Sequence, residues 1–309
     1  MTARPIKNLP ASVRQRLLDL ARSKGEAFHF IAEQYALERF LYRLGASAHA
    51  QNFLLKGALL FRLWYDQPHR RTRDADLLGC GPSDVASLEK VFREVCEVPA
   101  EDGIRFLQES VMGREIREGM SYRGIRLRFF ADLDGAIIPV QFDVGFGDVV
   151  IPGPDEVRFP VLLDFPAPQL RVYPRYTVVA EKFEAMVRFG EENSRMKDYF
   201  DIFVLARTFD FDGRLLEKSI EATFQRRAVA LPKDTLSAWQ ETFVSGRGAG
   251  VWRAFLRRSS MEKGAPDFRE IVSFIKLFME PVVQALRSER HFHAHWAPGG
   301  PWRSKAGLG

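Results

Sequence analysis

Between Tyr122 and Gly147 the chain reads YRGIRLRFFADLDGAIIPVQFDVGFG, and no other stretch narrows the possible folds as much. Ile125, Leu127 and Phe129 alternate with Arg126 and Arg128; after Asp134 and Gly135, Ile138, Val140 and Phe142 share a face opposite Gln141 and Asp143. Period two is the strand period, and an Asp-Gly pair between two such runs is a tight hairpin turn. The N-terminal half must therefore hold a sheet with at least one antiparallel pair and one apolar face to cover.

Helical spacing supplies candidates for that cover. Pro10, Val13, Leu17, Leu20 and Ala21 predict a helix closed by Gly25, and a second helix runs from about Glu26 to Leu44, with Gly45 as its stop. NFLLKGALLFRLWYD reads as a strand end at Phe53 to Leu55, a turn at Lys56 and Gly57, and a helix through Trp64. Asp74 to Leu78 is a strand, and Ser83 caps a helix with Leu88, Val91, Phe92 and Val95 on one stripe. Strand-like segments follow near 104 to 109, 112 to 118 and 122 to 130.

The stretch from Pro152 to Pro174 is rich in proline and turn residues, which reads as a linker or crossover. Beyond it the pattern is helical. Val179, Phe183, Met186 and Val187 mark a helix ended by Gly190, Ser194 caps another carrying Tyr199, Ile202, Phe203 and Ala206, and further helices reach about Arg287. The end of the chain, HFHAHWAPGGPWRSKAGLG, reads as disordered from its Pro/Gly content. The expected class is α+β, with an α/β domain over 1–165, a helical domain over 166–287 and a disordered tail over 288–309. A doubly wound nucleotide fold is excluded by the lack of a repeating strand, Gly-rich turn and helix series.

With 46% hydrophobic and 28% charged residues, the 309-residue chain has a globular composition. It has no apolar run of the roughly 20 residues a membrane span needs, and its start lacks a signal-peptide core, so a cytoplasmic location is expected. Cys80 and Cys96 suit a reducing compartment and offer no metal-ligand spacing. The net charge of +5 and pI near 9.2 are compatible with a polyanionic partner.

Candidate chemistry begins with Asp-x-Asp, which occurs three times: Asp74/Asp76, Asp132/Asp134 and Asp210/Asp212. The second and third pairs precede glycines, where aspartate commonly makes local backbone hydrogen bonds. Asp74 and Asp76 differ because Leu77 and Leu78 continue a strand, and Lys56 with Gly57 forms an upstream turn opening a helix. Such a turn presents amides to a phosphate, the lysine adds charge, and a divalent cation can lie between the carboxylates. Asp143, on the polar face of a later strand, is the candidate third carboxylate. Together these residues form a nucleotidyltransferase constellation.

The ordered segments LLKGALLFRLW (54 to 64), RRTRDADLL (70 to 78), QFDVGFGD (141 to 148), AEKFEAMVRFG (180 to 190) and SRMKDYFDIFVLA (194 to 206) carry a family likeness. The chain resembles the AbiEii/AbiGii-type nucleotidyltransferase toxins, including the mycobacterial MenT proteins, of the DNA polymerase β-like superfamily. The resemblance implies a mixed sheet with flanking helices, followed by a mainly helical half that completes the nucleotide pocket. It implies Mg²⁺ on Asp74 and Asp76, with Lys182 and Asp198 in the nucleotide pocket; Asp143 is the candidate third metal carboxylate, and Lys56, Gly57, Ala58, Thr72 and Arg73 are the candidate NTP contacts. Two departures stand out: Ala58 replaces the serine usual after the motif glycine, and the spacer to Asp74 is long.

The expected reaction is transfer of a nucleoside monophosphate from an NTP to an acceptor hydroxyl. By resemblance the acceptor is a tRNA 3′ end, whose blockage prevents aminoacylation and translation, and the partner is an antitoxin encoded nearby. Arginines 70, 71, 73, 126 and 128 are candidates for the acceptor phosphates. A protein or small-molecule acceptor, or a catalytically silent nucleotide-binding or partner-binding module, are the alternatives.

Overall fold

The computed structural model describes residues 8–64, 74–118, 122–232, 234, 236–259, 261–262 and 264–304. These fall into two compact units, one of 1–147 with 155–172 and one of 148–154 with 173–309.

In the first unit the Asp-Gly hairpin forms as the alternation predicts. Strands β4 (Tyr122–Leu133) and β5 (Ala136–Phe146) pair antiparallel from Leu133↔Ala136 outward. Asp134 and Gly135 have φ of 52° and 78°, the two left-handed residues of a type I′ turn. The Gly135 amide donates to Asp132 Oδ1 at 2.9 Å, so this Asp-x-Asp pair serves the turn.

The hairpin belongs to a seven-stranded mixed sheet ordered β3-β4-β5-β2-β1-β7-β6. The remaining strands are β1 (Phe53–Lys56), β2 (Ala75–Gly79), β3 (Arg105–Glu118), β6 (Asp155–Arg158) and β7 (Gln169–Val172). β2 runs parallel to β5 and β1 parallel to β7. Two expectations change here. The segments near 104 to 109 and 112 to 118 are one strand whose register shifts between Leu107 and Met112, so a bulge broke the alternation. The proline-rich 152–174 stretch contains β6 and β7, each too short to show a period of its own.

Helices α1 (Leu9–Lys24), α2 (Phe28–Ala46), the single turn α3 (Phe61–Trp64) and α4 (Val85–Glu97) complete the unit. Phe40 of α2 and Phe92 of α4 pack with Phe106, Phe129 and Phe142 of the sheet, each almost fully buried. Gly45 lies inside α2 and is not its stop. A Cβ there would overlap the Gln169 carbonyl oxygen, so glycine lets the helix backbone approach β7. Asp84, one residue after Ser83, caps α4 by accepting from the Ser87 amide.

The second unit contains α5 (Arg175–Phe189), α6 (Met196–Thr208), α7 (Gly213–Arg226), the short α8 (Glu241–Phe243), α9 (Ala249–Ser259) and α10 (Phe268–Arg287). Arg195, not Ser194, precedes α6, and the Asn193 side chain accepts from the Arg195 amide. Asp212 caps α7 through the Leu215 amide, which accounts for the third Asp-x-Asp pair.

The expected disordered tail is a correction. Ala294–Trp296 (β9) and Trp302–Ser304 (β10) join Phe211–Asp212 (β8) in a three-stranded sheet, and Trp296 is completely buried. Among the described residues no helix is long and apolar enough to cross a membrane.

Candidate active site

Sheet register assembles the candidate residues of the first unit. Lys56 of β1 lies opposite Asp76 of β2, Asp76 opposite Asp143 of β5, and Asp143 opposite Arg126 of β4. Residues directly opposite one another share a face of the sheet, so four adjacent strands present Lys56, Asp76, Asp143 and Arg126 as one polar row. Phe142 and Val144 flank Asp143 on the opposite, fully buried face. Ala75 is buried between the half-buried Asp74 and Asp76, as expected when alternation turns both carboxylates to one side.

Gly57 ties the turn to this row. Its φ is +73°, and the space a Cβ would fill holds the Asp76 carboxylate. The glycine is therefore required by backbone conformation and by the close approach of the acid. Residues 57–60 form a 3₁₀ turn that runs directly into α3, and amides opening a helical turn have no intrahelical acceptor. Lys56 reaches across the row: its Nζ lies 3.8 Å from where a Cβ on Gly145 would stand. Ala58 is half-buried in the same turn, so the turn survives without the serine hydroxyl.

Arg126 has a role that the sequence reading did not assign. Its Nε donates to Asp143 Oδ1 at 2.7 Å and its Nη2 to Oδ2 at 2.6 Å, a two-pronged ion pair with side chains 24% and 9% exposed. The charge that makes Arg126 a candidate for acceptor phosphates is engaged here with Asp143. The hairpin itself carried the signal. A two-residue loop pairs Leu133 with Ala136, and seven residues outward on each arm that register meets at Arg126 and Asp143.

Thr72 and Arg73, with Arg70 and Arg71, lie outside the described residues. Among the described residues no three acid, histidine or cysteine side chains converge to hold a metal ion. The donor set nevertheless fits Mg²⁺, which commonly takes one or two carboxylates and fills its other positions with water and substrate phosphate oxygens. Asp74 and Asp76 are such a pair, while both oxygens of Asp143 already accept from Arg126.

In the second unit, Lys182 of α5 donates to Asp198 Oδ1 at 3.1 Å and to Asp201 Oδ2 at 2.6 Å, both on α6. Arg195 Nε donates to the other Asp198 oxygen at 2.7 Å. The two aspartates are fully buried. Burial pushes the Asp198 carboxyl upward, but Lys182 and then Arg195 outweigh it and hold the group below the usual carboxylate range. Asp201 lies one turn after Asp198, and the spacing that puts both on one helix face lets Lys182 reach the two together.

Comparison with known proteins settles the family. The description "Nucleotidyl transferase AbiEii toxin, Type IV TA system" matches residues 39–273, which span β1, β2, β5, α5 and α6. The chain belongs to this family. The AbiEii family match thus covers the turn, the Asp-x-Asp strand and the Lys182–Asp198 helices in one continuous stretch. No curated protein matches the chain in sequence. Two solved structures are similar at 12% identity and a TM-score of 0.45: a candidate nucleotidyltransferase from H. pylori, covering 82% of this chain and 95% of that one, and JHP933 from Helicobacter pylori, covering 81% and 90%.

Proposed function

We infer that this AbiEii-family protein transfers a nucleoside monophosphate from an NTP to an acceptor hydroxyl, with a tRNA 3′ end as the acceptor. The acceptor oxygen attacks the α-phosphorus, the bond to the β-phosphate oxygen breaks, and pyrophosphate leaves while the hydroxyl proton passes to a base. The observation that carries this reading is the cross-strand row Lys56–Asp76–Asp143 with Gly57 packed against the Asp76 carboxylate.

Asp74 and Asp76 would hold Mg²⁺, which when bound supplies positive charge to the transferring and leaving oxygens. The Gly57–Ala58 amides and the Lys56 ammonium are suited to the triphosphate. Arg126 offsets the charge of Asp143, so that acids on neighbouring strands can stand side by side. Asp143 can accept the acceptor proton or join the metal only by loosening one oxygen from that fork. Lys182 and Asp198 are assigned to nucleotide handling by the family likeness. The type IV toxin–antitoxin membership supports an antitoxin as the protein partner.

Purified protein incubated with each labelled NTP, Mg²⁺ and total tRNA tests the reading. Label should enter RNA and depend on both Mg²⁺ and Asp76. Label on protein or on a small acceptor alone, or full transfer by Asp76→Ala, would refute it.

A further inference from the structure

The sheet face that carries Asp143 continues away from the acids along β3, β4 and β5, and its character changes. Three of the large apolar side chains that the chain exposes stand on it: Met112 at 71%, Phe130 at 43% and Ile137 at 57%. Register places them together. Met112 lies opposite Arg128, which shares a face with Phe130 two residues on; Ile137 lies opposite Asp132, two residues beyond Phe130. The opposite face of the same strands is the phenylalanine core, so this is a sheet with one covered and one open side.

Charge distinguishes what could cover it. Of the acids on the stretch bounded by Met112, Asp132 and Asp143, Asp143 is gripped by Arg126, and Asp132 accepts from Arg105 at 3.2 Å and from the Gly135 amide. Arg114, opposite Arg126, and Arg128 are exposed and add further positive charge. Arg128 Nε donates to Gln141 Oε1 at 2.8 Å, which ties the side chain across to the neighbouring strand. An exposed aromatic ring among arginines on an open sheet suits a chain of stacked bases and phosphates. A protein partner matched to apolar side chains alone would leave these arginines unanswered.

We propose that the open face of β3–β4–β5 is the track on which a single-stranded RNA end lies on its way to Asp76 and Asp143, with Phe130 as a base-stacking platform and Arg114 and Arg128 as phosphate contacts. The direction of the track rests on the nucleotidyltransferase reading; the binding itself does not.

The test is fluorescence anisotropy of the full chain with a labelled ten-nucleotide single-stranded RNA, in the absence of NTP and over a salt series. Phe130→Ala should weaken binding about tenfold, Phe130→Leu similarly, and Phe130→Trp should restore it, because stacking needs a ring and not merely an apolar group. Arg128→Ala should lower the salt slope by about 0.7. Phe130 is on the surface, so unchanged thermal unfolding should accompany each variant. Wild-type affinity in the Phe130→Ala/Arg128→Ala double variant would overturn the proposal. So would a wild-type chain that ignores RNA but uses Phe130 to dimerise or to hold an antitoxin. RNA binding with these dependences but no nucleotide transfer would sink the proposed reaction and leave the track standing.

Discussion

Gly57 is the residue on which the candidate site depends most directly, because two independent constraints meet there. A left-handed φ costs an L-residue about 1–2 kcal/mol, and a methyl group would also have to displace the Asp76 carboxylate. Gly57→Ala should therefore leave the protein folded, with a modest fall in Tm, while transfer drops at least about 100-fold, the scale expected when a reacting group is misplaced by an ångström. Steady-state transfer and thermal unfolding measured on the same sample check this; unchanged transfer would show that Asp76 does not work from this position. Much of the site at this scale was legible in sequence. Asp132 holds the hairpin turn and Asp212 caps α7, as the glycines after their pairs imply, and Asp74/Asp76 leads into a strand of the large sheet, with Asp76 on β2 and Asp74 just before it. The grip of Arg126 on Asp143 required the hairpin register, which alternation alone does not supply.

At the scale of elements, the α5–α6 pairing includes an ion-pair cluster whose two carboxylates are fully buried. Removing Lys182 would take its ammonium away from two buried carboxylates, with Asp198 keeping its Arg195 contact, and breaking a buried pair in that way costs about 3–5 kcal/mol. Lys182→Met should lose activity together with Tm, and Lys182→Arg should recover part of both. Because the folded-state Asp198 carboxyl is held below its ordinary value of 3.8, its contribution to stability is present above that pH and is lost as the pH falls through the lower folded value. Asp198→Asn should accordingly flatten acid unfolding below about pH 4, as followed by circular dichroism.

Glu38 of α2 behaves in the opposite sense. Burial pushes its carboxyl up from 4.5 to about 7, against the Leu162 amide at 2.7 Å and the Arg62 and Arg39 charges. Its folded form holds the proton more tightly than the unfolded chain, so stability is lost as the pH rises from 4.5 to 7 and changes no further above that. Glu38→Gln should gain in Tm relative to the native chain over that interval and keep a constant difference above it. A difference that does not vary with pH would refute the assignment. Elements were legible where periodicity was long: α1, α4 and the β4–β5 hairpin were read from their stripes. Where a bulge or a four-residue strand interrupted the period, as in β3, β6 and β7, local pattern could not reveal a partner distant in sequence.

At the scale of the whole molecule, the misread tail shows how composition can hide a packed element. Residues 288–304 are rich in glycine, proline and histidine, which argues for disorder, yet their tryptophans are anchors. Trp296 Nε1 donates to the Ala206 carbonyl at 2.6 Å, Trp302 Nε1 donates to the Phe278 carbonyl at 2.8 Å, and the Trp302 ring stacks on Phe278 at 5.6 Å with planes 2° apart. The glycines serve the same packing, since Gly300 has a φ of +77° and the Trp296 ring fills its Cβ space. The Phe292 amide adds a hydrogen bond to Glu217 on α7 at 2.7 Å. A chain ending at Glu289 would thus uncover the C-terminal end of α6 and the middle of α10 and lose a fully buried tryptophan, whose truncation alone costs about 3–5 kcal/mol. The shortened protein should unfold at a markedly lower temperature and be cut within 196–287 by protease at a concentration that spares the full chain. Trp296→Ala should reproduce most of the loss, and Trp302→Ala, whose ring is half-exposed, a smaller part. Equal Tm values for the full and shortened chains would mean that the strand pair adds nothing to the helical unit. The ordering expected, truncation most severe, then Trp296, then Trp302, follows from the depth at which each ring is buried.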